Sequence, residues 1–269
     1  MLIEWVKVVI LGIVEGITEF LPISSTGHLI VAAALLNFQG SIGGTFEIFI
    51  QLGAVVAVIV FYRSEIFQQV RTVTSDSRVQ RFWLGIIVAF VPAAVIGFLL
   101  KDWIKEILFS PVVVGITLIV GGIIFLVVER RPVTTTAVTD AVDIALPQAF
   151  MVGIAQTTAL IPGVSRSGAS IIGGMLGGMN RRAATQFSFY LAIPTLGLAT
   201  VFDLLTSLDQ ISGDQLAMLI VGAIISGIVA WLSIGWLLRY VANNTFTAFG
   251  YYRICAGIII LILVAAQRL

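Results

Sequence analysis

A chain of 269 residues that is 59% hydrophobic and 11% charged, with a mean hydropathy of +1.08, has too few charged side chains to cover a soluble globule of its size. It reads as an all-α polytopic membrane protein, and with a net charge of +1 no nucleic-acid partner is expected. The single cysteine, Cys255, has no partner for an internal disulfide and is read as packing.

The chain opens with a helical run from Met1 to about Leu21, followed by a short one over Gly27 to Leu36. Neither is long enough to cross a bilayer. Separated by Pro22-Ile23-Ser24-Ser25-Thr26, they read as a re-entrant hairpin, which a membrane tolerates only where protein or a polar cavity surrounds the broken backbone. The opening apolar run contains Glu15 and Glu19 and lacks a small-residue cleavage site, so no cleavable signal is expected. Crossings are predicted at residues 46–62, 82–100, 110–128, 183–202, 215–238 and 247–266. The connectors 63–81 and 129–147 carry no fold signal of their own.

Residues 153–171 repeat residues 12–30 without a gap, at an offset of 141. Gly12 falls on Gly153, Glu15 on Gln156, Ser24 on Ser165, Ser25 on Arg166, Thr26 on Ser167 and Gly27 on Gly168. Farther on the offset is 135, pairing Gly115 with Gly250 and Gly122 with Gly257. The chain is thus one membrane domain built by duplication, with repeat 1 over about 1–131 and repeat 2 over about 146–269. Each repeat reads as one re-entrant hairpin plus three crossings, and an odd number of crossings inverts the second repeat relative to the first. Six transmembrane helices and two re-entrant hairpins follow. Under this topology Arg63, Arg71, Arg78, Arg81, Arg130, Arg131, Arg181, Arg182, Arg239 and Arg253 share one side, against Lys7, Lys101, Lys105 and Arg268 on the other, which predicts both termini outside the cytoplasm. Gly173, Gly174, Gly177 and Gly178 form two Gly-x-x-x-Gly pairs, read as helix packing.

The two hairpin breaks concentrate the chemistry. If they meet at the pseudo-two-fold axis, they gather Glu15, Glu19, Ser24, Ser25, Thr26, Gly27 and His28 with Ser165, Arg166, Ser167 and Gly168. Two helix N-termini offer N–H donors, hydroxyls add more, and Arg166 can grip two phosphate oxygens at once. His28 lies three residues from Ser25, a spacing that would let its imidazole take the hydroxyl proton; His28 could also attack phosphorus directly. Glu15 and Glu19 suit either a divalent cation or proton transfer. Glu19 falls on Leu160 and His28 on Ala169, so one hairpin carries acid–base groups and the other the clamp, an asymmetry that favours a reaction over symmetric binding.

The motifs Glu15-x-x-x-Glu19-Phe20-Leu21-Pro22-Ile23-Ser24-Ser25-Thr26-Gly27-His28 and Pro162-Gly163-Val164-Ser165-Arg166-Ser167-Gly168 resemble those of the undecaprenyl pyrophosphate phosphatases, also called bacitracin-resistance proteins. The likeness covers essentially the whole chain, including Phe46-Glu47 and Gln51-Leu52-Gly53. It implies an enzyme of the bacterial inner membrane that converts C55 polyprenyl diphosphate to the monophosphate, recycling the carrier lipid of peptidoglycan synthesis and conferring bacitracin resistance. It further implies that Glu15, Glu19, Ser25, His28 and Arg166 are the catalytic groups, with Ser165 and Thr26 nearby, and that Mg2+ or Ca2+ aids activity; the residues themselves suggest substrate contacts from Ser24, Thr26, Gly27, Ser165, Ser167 and Gly168 and a cation at Glu15 and Glu19, with no organic cofactor. The resemblance leaves open Ser25 or His28 as nucleophile, and it is compatible with a homodimer. Ser170 stands where the family motif usually has threonine, which retains a hydroxyl. The alternative from another class is a secondary transporter or flippase for a polyprenyl phosphate lipid, because inverted repeats with broken helices are also the architecture of alternating access.

Overall fold

The computed structural model describes residues 2–38, 45–131, 137–207 and 213–269. Its helices are α1 (Leu2–Thr18), α2 (Ser25–Leu35), α3 (Thr45–Phe61), α4 (Arg63–Thr72), α5 (Ser77–Ile107), α6 (Pro111–Glu129), α7 (Leu146–Thr157), α8 (Arg166–Leu176), α9 (Arg181–Ser207), α10 (Gly213–Asn243) and α11 (Thr247–Ala265). Segments of α5, α6, α9, α10 and α11 are long and apolar enough to cross a membrane, and α3 qualifies as a sixth only together with α4, from which it is bent by 68°. The protein is therefore all-α and polytopic.

Local sequence sets the ends of these helices. Asp76 caps α5 by accepting from Arg78 N, and Ser110 caps α6 by accepting from Val112 N ahead of Pro111, whose missing N–H costs nothing in a first turn. At α7 the Gln148 side chain accepts the Ala145 N–H at 2.9 Å. The first hairpin breaks where Pro22 disfavours helical backbone at Leu21, and the second where Pro162 does the same to Ile161. α1 ends at Thr18, earlier than the predicted Leu21, although Glu19 N still reaches Glu15 O at 2.9 Å.

The packing exchanges corresponding helices of the two halves. α1 packs on α10 while α7 packs on α5, and α3 meets α9 as α6 meets α11. Glycines permit the closest approaches: a Cβ on Gly115 would lie 3.2 Å from Gly257 O, and one on Gly122 would lie 2.6 Å from Gly250 O. The glycine pairs aligned in sequence are thus crossed in space, as happens when two equivalent helices meet across a two-fold. A Cβ on Gly53 of α3 would fall 1.9 Å from Ala223 O of α10. In α8, Gly173 faces Ala155 of α7 and Gly174 faces Ala184 of α9, so these glycines do serve packing.

Two expectations need correction. Cys255 is exposed on the outer face of α11 rather than packed. Arg253, counted among the charges of one membrane surface, is fully buried in the interior of α11, because its partners are backbone carbonyls exposed by the broken helices.

Candidate active site at the hairpin breaks

The α1–α2 break and the α7–α8 break face each other and are joined directly. Ser167 Oγ of the second donates to Leu21 O of the first at 3.0 Å. Arg253 spans both, donating through Nη1 to Pro22 O at 3.1 Å and through Nη2 to Gly163 O at 3.1 Å and Val164 O at 2.9 Å. No carboxylate pairs with it among the described residues; it neutralises carbonyls that two interrupted helices leave without donors. Gly121 of α6 makes room for this guanidinium, since a Cβ there would sit 2.1 Å from Nη2. Nothing in the spacing of Arg253 revealed this; the signal was an arginine in an otherwise apolar span, which is costly unless it has partners.

The residues opening α2 and α8 share an unusual backbone. Ser24 has φ 72° and Ser165 has φ 75°, a conformation costly for a residue with a side chain. The two sites differ in their caps: Ser165 Oγ accepts from Gly168 N at 3.1 Å, whereas the Ser24 side chain makes no cap hydrogen bond. The first turn of α2 consequently keeps N–H groups and a hydroxyl for a ligand.

Between the breaks lies a cavity of about 220 Å³, lined by Glu19, Ser24, Ser25, Thr26, Gln51, Ala93, Gln156, Ala159, Leu160, Pro162, Gly163, Ser165, Arg166, Thr195, Leu196 and Ala199. Inside it, Arg166 Nη2 donates to Glu19 Oε1 at 3.1 Å and Nη1 to Ser188 O at 2.9 Å. The second oxygen of Glu19 accepts a hydrogen bond from Ser25 Oγ. Serine, carboxylate and guanidinium therefore form one chain, with the hydroxyl pointed at a base and the base oriented by a cation. Gln51 of α3, part of the family likeness but given no role in sequence, joins the lining, as does Thr195 of α9, which sequence did not single out.

The structure separates other residues from this group. Gly27 packs on Val114 and Leu118 of α6, and Gly168 packs beside Arg253 and Phe125, so neither lines the cavity. Ser167 is fully buried and ties the breaks together. His28 does not approach the Ser25 hydroxyl as its spacing suggested. Its Nδ1 lies 2.7 Å from Ser24 O, and since a carbonyl only accepts, Nδ1 carries the proton. That leaves Nε2 of the neutral ring to accept from Tyr252 Oη at 2.6 Å. Tyr252, on α11, thus orients the histidine.

Glu15 is fully buried with its carboxylate against that of Glu19 and with no other hydrogen-bond partner; its counterpart Gln156 is likewise buried with both side-chain polar atoms unpartnered. Unsatisfied buried polar groups of this kind are uncommon and mark places where an ion, water or substrate belongs. No cluster of three or more His, Cys, Asp or Glu side chains suited to a metal occurs among the described residues, so any cation here would need ligands from the substrate as well.

Residues 8–259 match the family described as bacitracin resistance protein BacA. A protein named undecaprenyl-diphosphatase from Albidiferax ferrireducens is 49% identical over 259 residues, 95% of this chain and 94% of its own. Proteins of the same name from Dechloromonas aromatica and Deinococcus radiodurans are 48% and 45% identical, covering 95% and 97% of this chain and 93% and 96% of theirs. With the matched residues spanning both hairpins and all the helices between them, the chain belongs to the bacitracin resistance protein BacA family.

Proposed function

We propose that the protein hydrolyses undecaprenyl diphosphate, the substrate in the name of its relatives, and that the products are undecaprenyl phosphate and inorganic phosphate. The observation that carries this reading is the Ser25–Glu19–Arg166 chain inside the hairpin cavity. Ser25 Oγ attacks the terminal phosphorus as Glu19 takes its proton; the bond to the bridging oxygen breaks, and Glu19 returns the proton to the departing undecaprenyl phosphate. Water then gives a proton to Glu19 and attacks the phosphoserine, and Ser25 Oγ leaves with that proton. Arg166 and the open first turn of α2 hold the non-bridging oxygens as charge moves through them. His28 is a positioning residue, fixing the strained Ser24 peptide through its Nδ1–H.

Arg166 and Arg253 offset Glu15 and Glu19 in charge, so a diphosphate enters with its own charge largely uncompensated. The Glu15 carboxylate, with Glu19 beside it, would hold a divalent cation. Such an ion, Mg2+ or Ca2+, would neutralise the phosphate oxygens when bound.

The crossed glycine pairs and the matching Ser24 and Ser165 conformations support the duplication over about 1–131 and 146–269. The remaining nine surface arginines still support both termini outside the cytoplasm of a bacterial inner membrane. The test of the activity is phosphate release from C55 polyprenyl diphosphate by purified protein, without any transmembrane gradient. Ser25→Ala, Glu19→Gln and Arg166→Ala should each lower turnover by about 10²-fold or more. Near wild-type turnover in all three overturns the assignment.

A further inference from the structure

A second concave feature shares no lining residue with the hairpin cavity, and no part of the proposed reaction uses it. Along the outside of α3 and α10 runs an apolar groove of about 510 Å³. Its form follows from sequence: Gly53, Ala57, Ala223 and Gly227 let the two helices touch, making a floor, and Phe49 and Ile228 stand up as walls. Trp231 lines the end of this groove and also lines a cleft of about 540 Å³, so the two adjoin there. The cleft contains Arg182, Arg239 and Glu65, with Gln186 and Tyr62 behind them. Neither arginine forms an ion pair among the described residues. Tyr62 is only 4% exposed, and its hydroxyl lies beside the Gln186 side chain.

We propose that this groove and cleft together bind one membrane phospholipid with a singly anionic headgroup. One acyl chain lies over the glycine floor, and the phosphodiester lies between Arg182 and Arg239, where Tyr62 and Gln186 meet the polar remainder of the headgroup. Two cations against Glu65 leave one net positive charge, which matches one phosphodiester. Two arginines at the head of an apolar channel are the complement of an anionic amphiphile, and the shape excludes a soluble anion as the main occupant. The site is separate from the catalytic cavity: Arg182 precedes Thr195 on α9 by thirteen residues, about 20 Å along the helix. The proposal does not depend on the hydrolase reading.

Trp231 reports on the site. Full-length protein is placed in phosphatidylcholine vesicles containing a small fraction of either phosphatidylglycerol or phosphatidylcholine with brominated chains, and the Trp231 signal is isolated by comparison with W231F. Brominated phosphatidylglycerol should quench it several-fold more than brominated phosphatidylcholine at equal mole fraction. The preference should vanish in R182Q/R239Q and grow in E65Q, and all these positions are exposed, so folding should be unaffected. Should the double variant fail to fold, E65Q alone decides, and an unchanged preference in it counts against the proposal. Equal quenching by the two lipids, or a preference that survives R182Q/R239Q, overturns it. Displacement of phosphatidylglycerol by a small fraction of polyprenyl monophosphate would assign the site to that lipid and overturn the occupant named here.

Discussion

Arg166 Nη2 stands 3.1 Å from Glu19 Oε1 although the two residues are 147 positions apart in the chain. That contact joins the hairpins and aligns the acceptor of the Ser25 proton. Glu19→Gln keeps the shape but abolishes the base, and turnover should fall about 10² to 10⁴-fold with little change in KM. Arg166→Lys keeps the charge but loses the fork that bonds Glu19 and Ser188 together, so it should recover only a small part of wild-type activity. Steady-state phosphate release measures both.

The nucleophile can be separated from the positioning residue. If Ser25 attacks, rapid acid quenching with substrate labelled in its terminal phosphate should trap the label on a peptide containing Ser25, and Ser25→Ala should trap none. Tyr252→Phe removes only the donor to His28 Nε2 and should lower kcat by less than about tenfold, the loss of one hydrogen bond. Label that is lost in acid but survives an alkaline quench, as on a phosphohistidine, would reverse these roles.

Arg253 should be as important to stability as to catalysis. Arg253→Leu leaves Pro22, Gly163 and Val164 carbonyls without their donor in a buried site, an expected cost of about 3 kcal/mol or more. Thermal unfolding in detergent should shift down and activity should fall with it. Arg253→Lys cannot reach both breaks, so it should be intermediate in stability. Gly121→Ala intrudes on the same guanidinium and should weaken the protein in the same direction.

Close backbone contact makes a separate prediction at Gly53. Gly53→Leu must push α3 away from α10, and overpacking of this kind costs about 1–3 kcal/mol or more. Reduced unfolding temperature with unchanged substrate KM is the expected result, because Gly53 does not line the catalytic cavity.

Glu15 tests the cation. Wild-type activity should fall on treatment with a chelator and return with Mg2+ or Ca2+. Glu15→Gln should raise the concentration of metal needed for half-maximal activity at least about tenfold, as loss of a ligand does. If activity in both proteins is indifferent to chelator, Glu15 serves proton transfer alone.

Much of the architecture was legible in sequence because apolar runs have a length that a bilayer dictates, and because the repeat at 12–30 and 153–171 marked both breaks. The contacts of Arg166 were foreseeable in kind, since an arginine in an apolar hairpin must find an anion. The direction of His28 was not. His28 Nδ1–H goes to the Ser24 carbonyl and the Ser25 hydroxyl to Glu19, partners that a spacing of three does not reveal. The role of Arg253 was hidden for a similar reason: its partners are backbone oxygens, which leave no trace in residue identity.

A single side chain from α11 grips the broken segments of both halves at once. Rocking one half against the other, as an alternating carrier must, would tear that grip and strand several carbonyls in a dry interior. The hinge is in effect pinned. Small local displacements around the mouth of the chamber would leave that grip intact, with the lipid tail in the bilayer and only its charged end drawn inside.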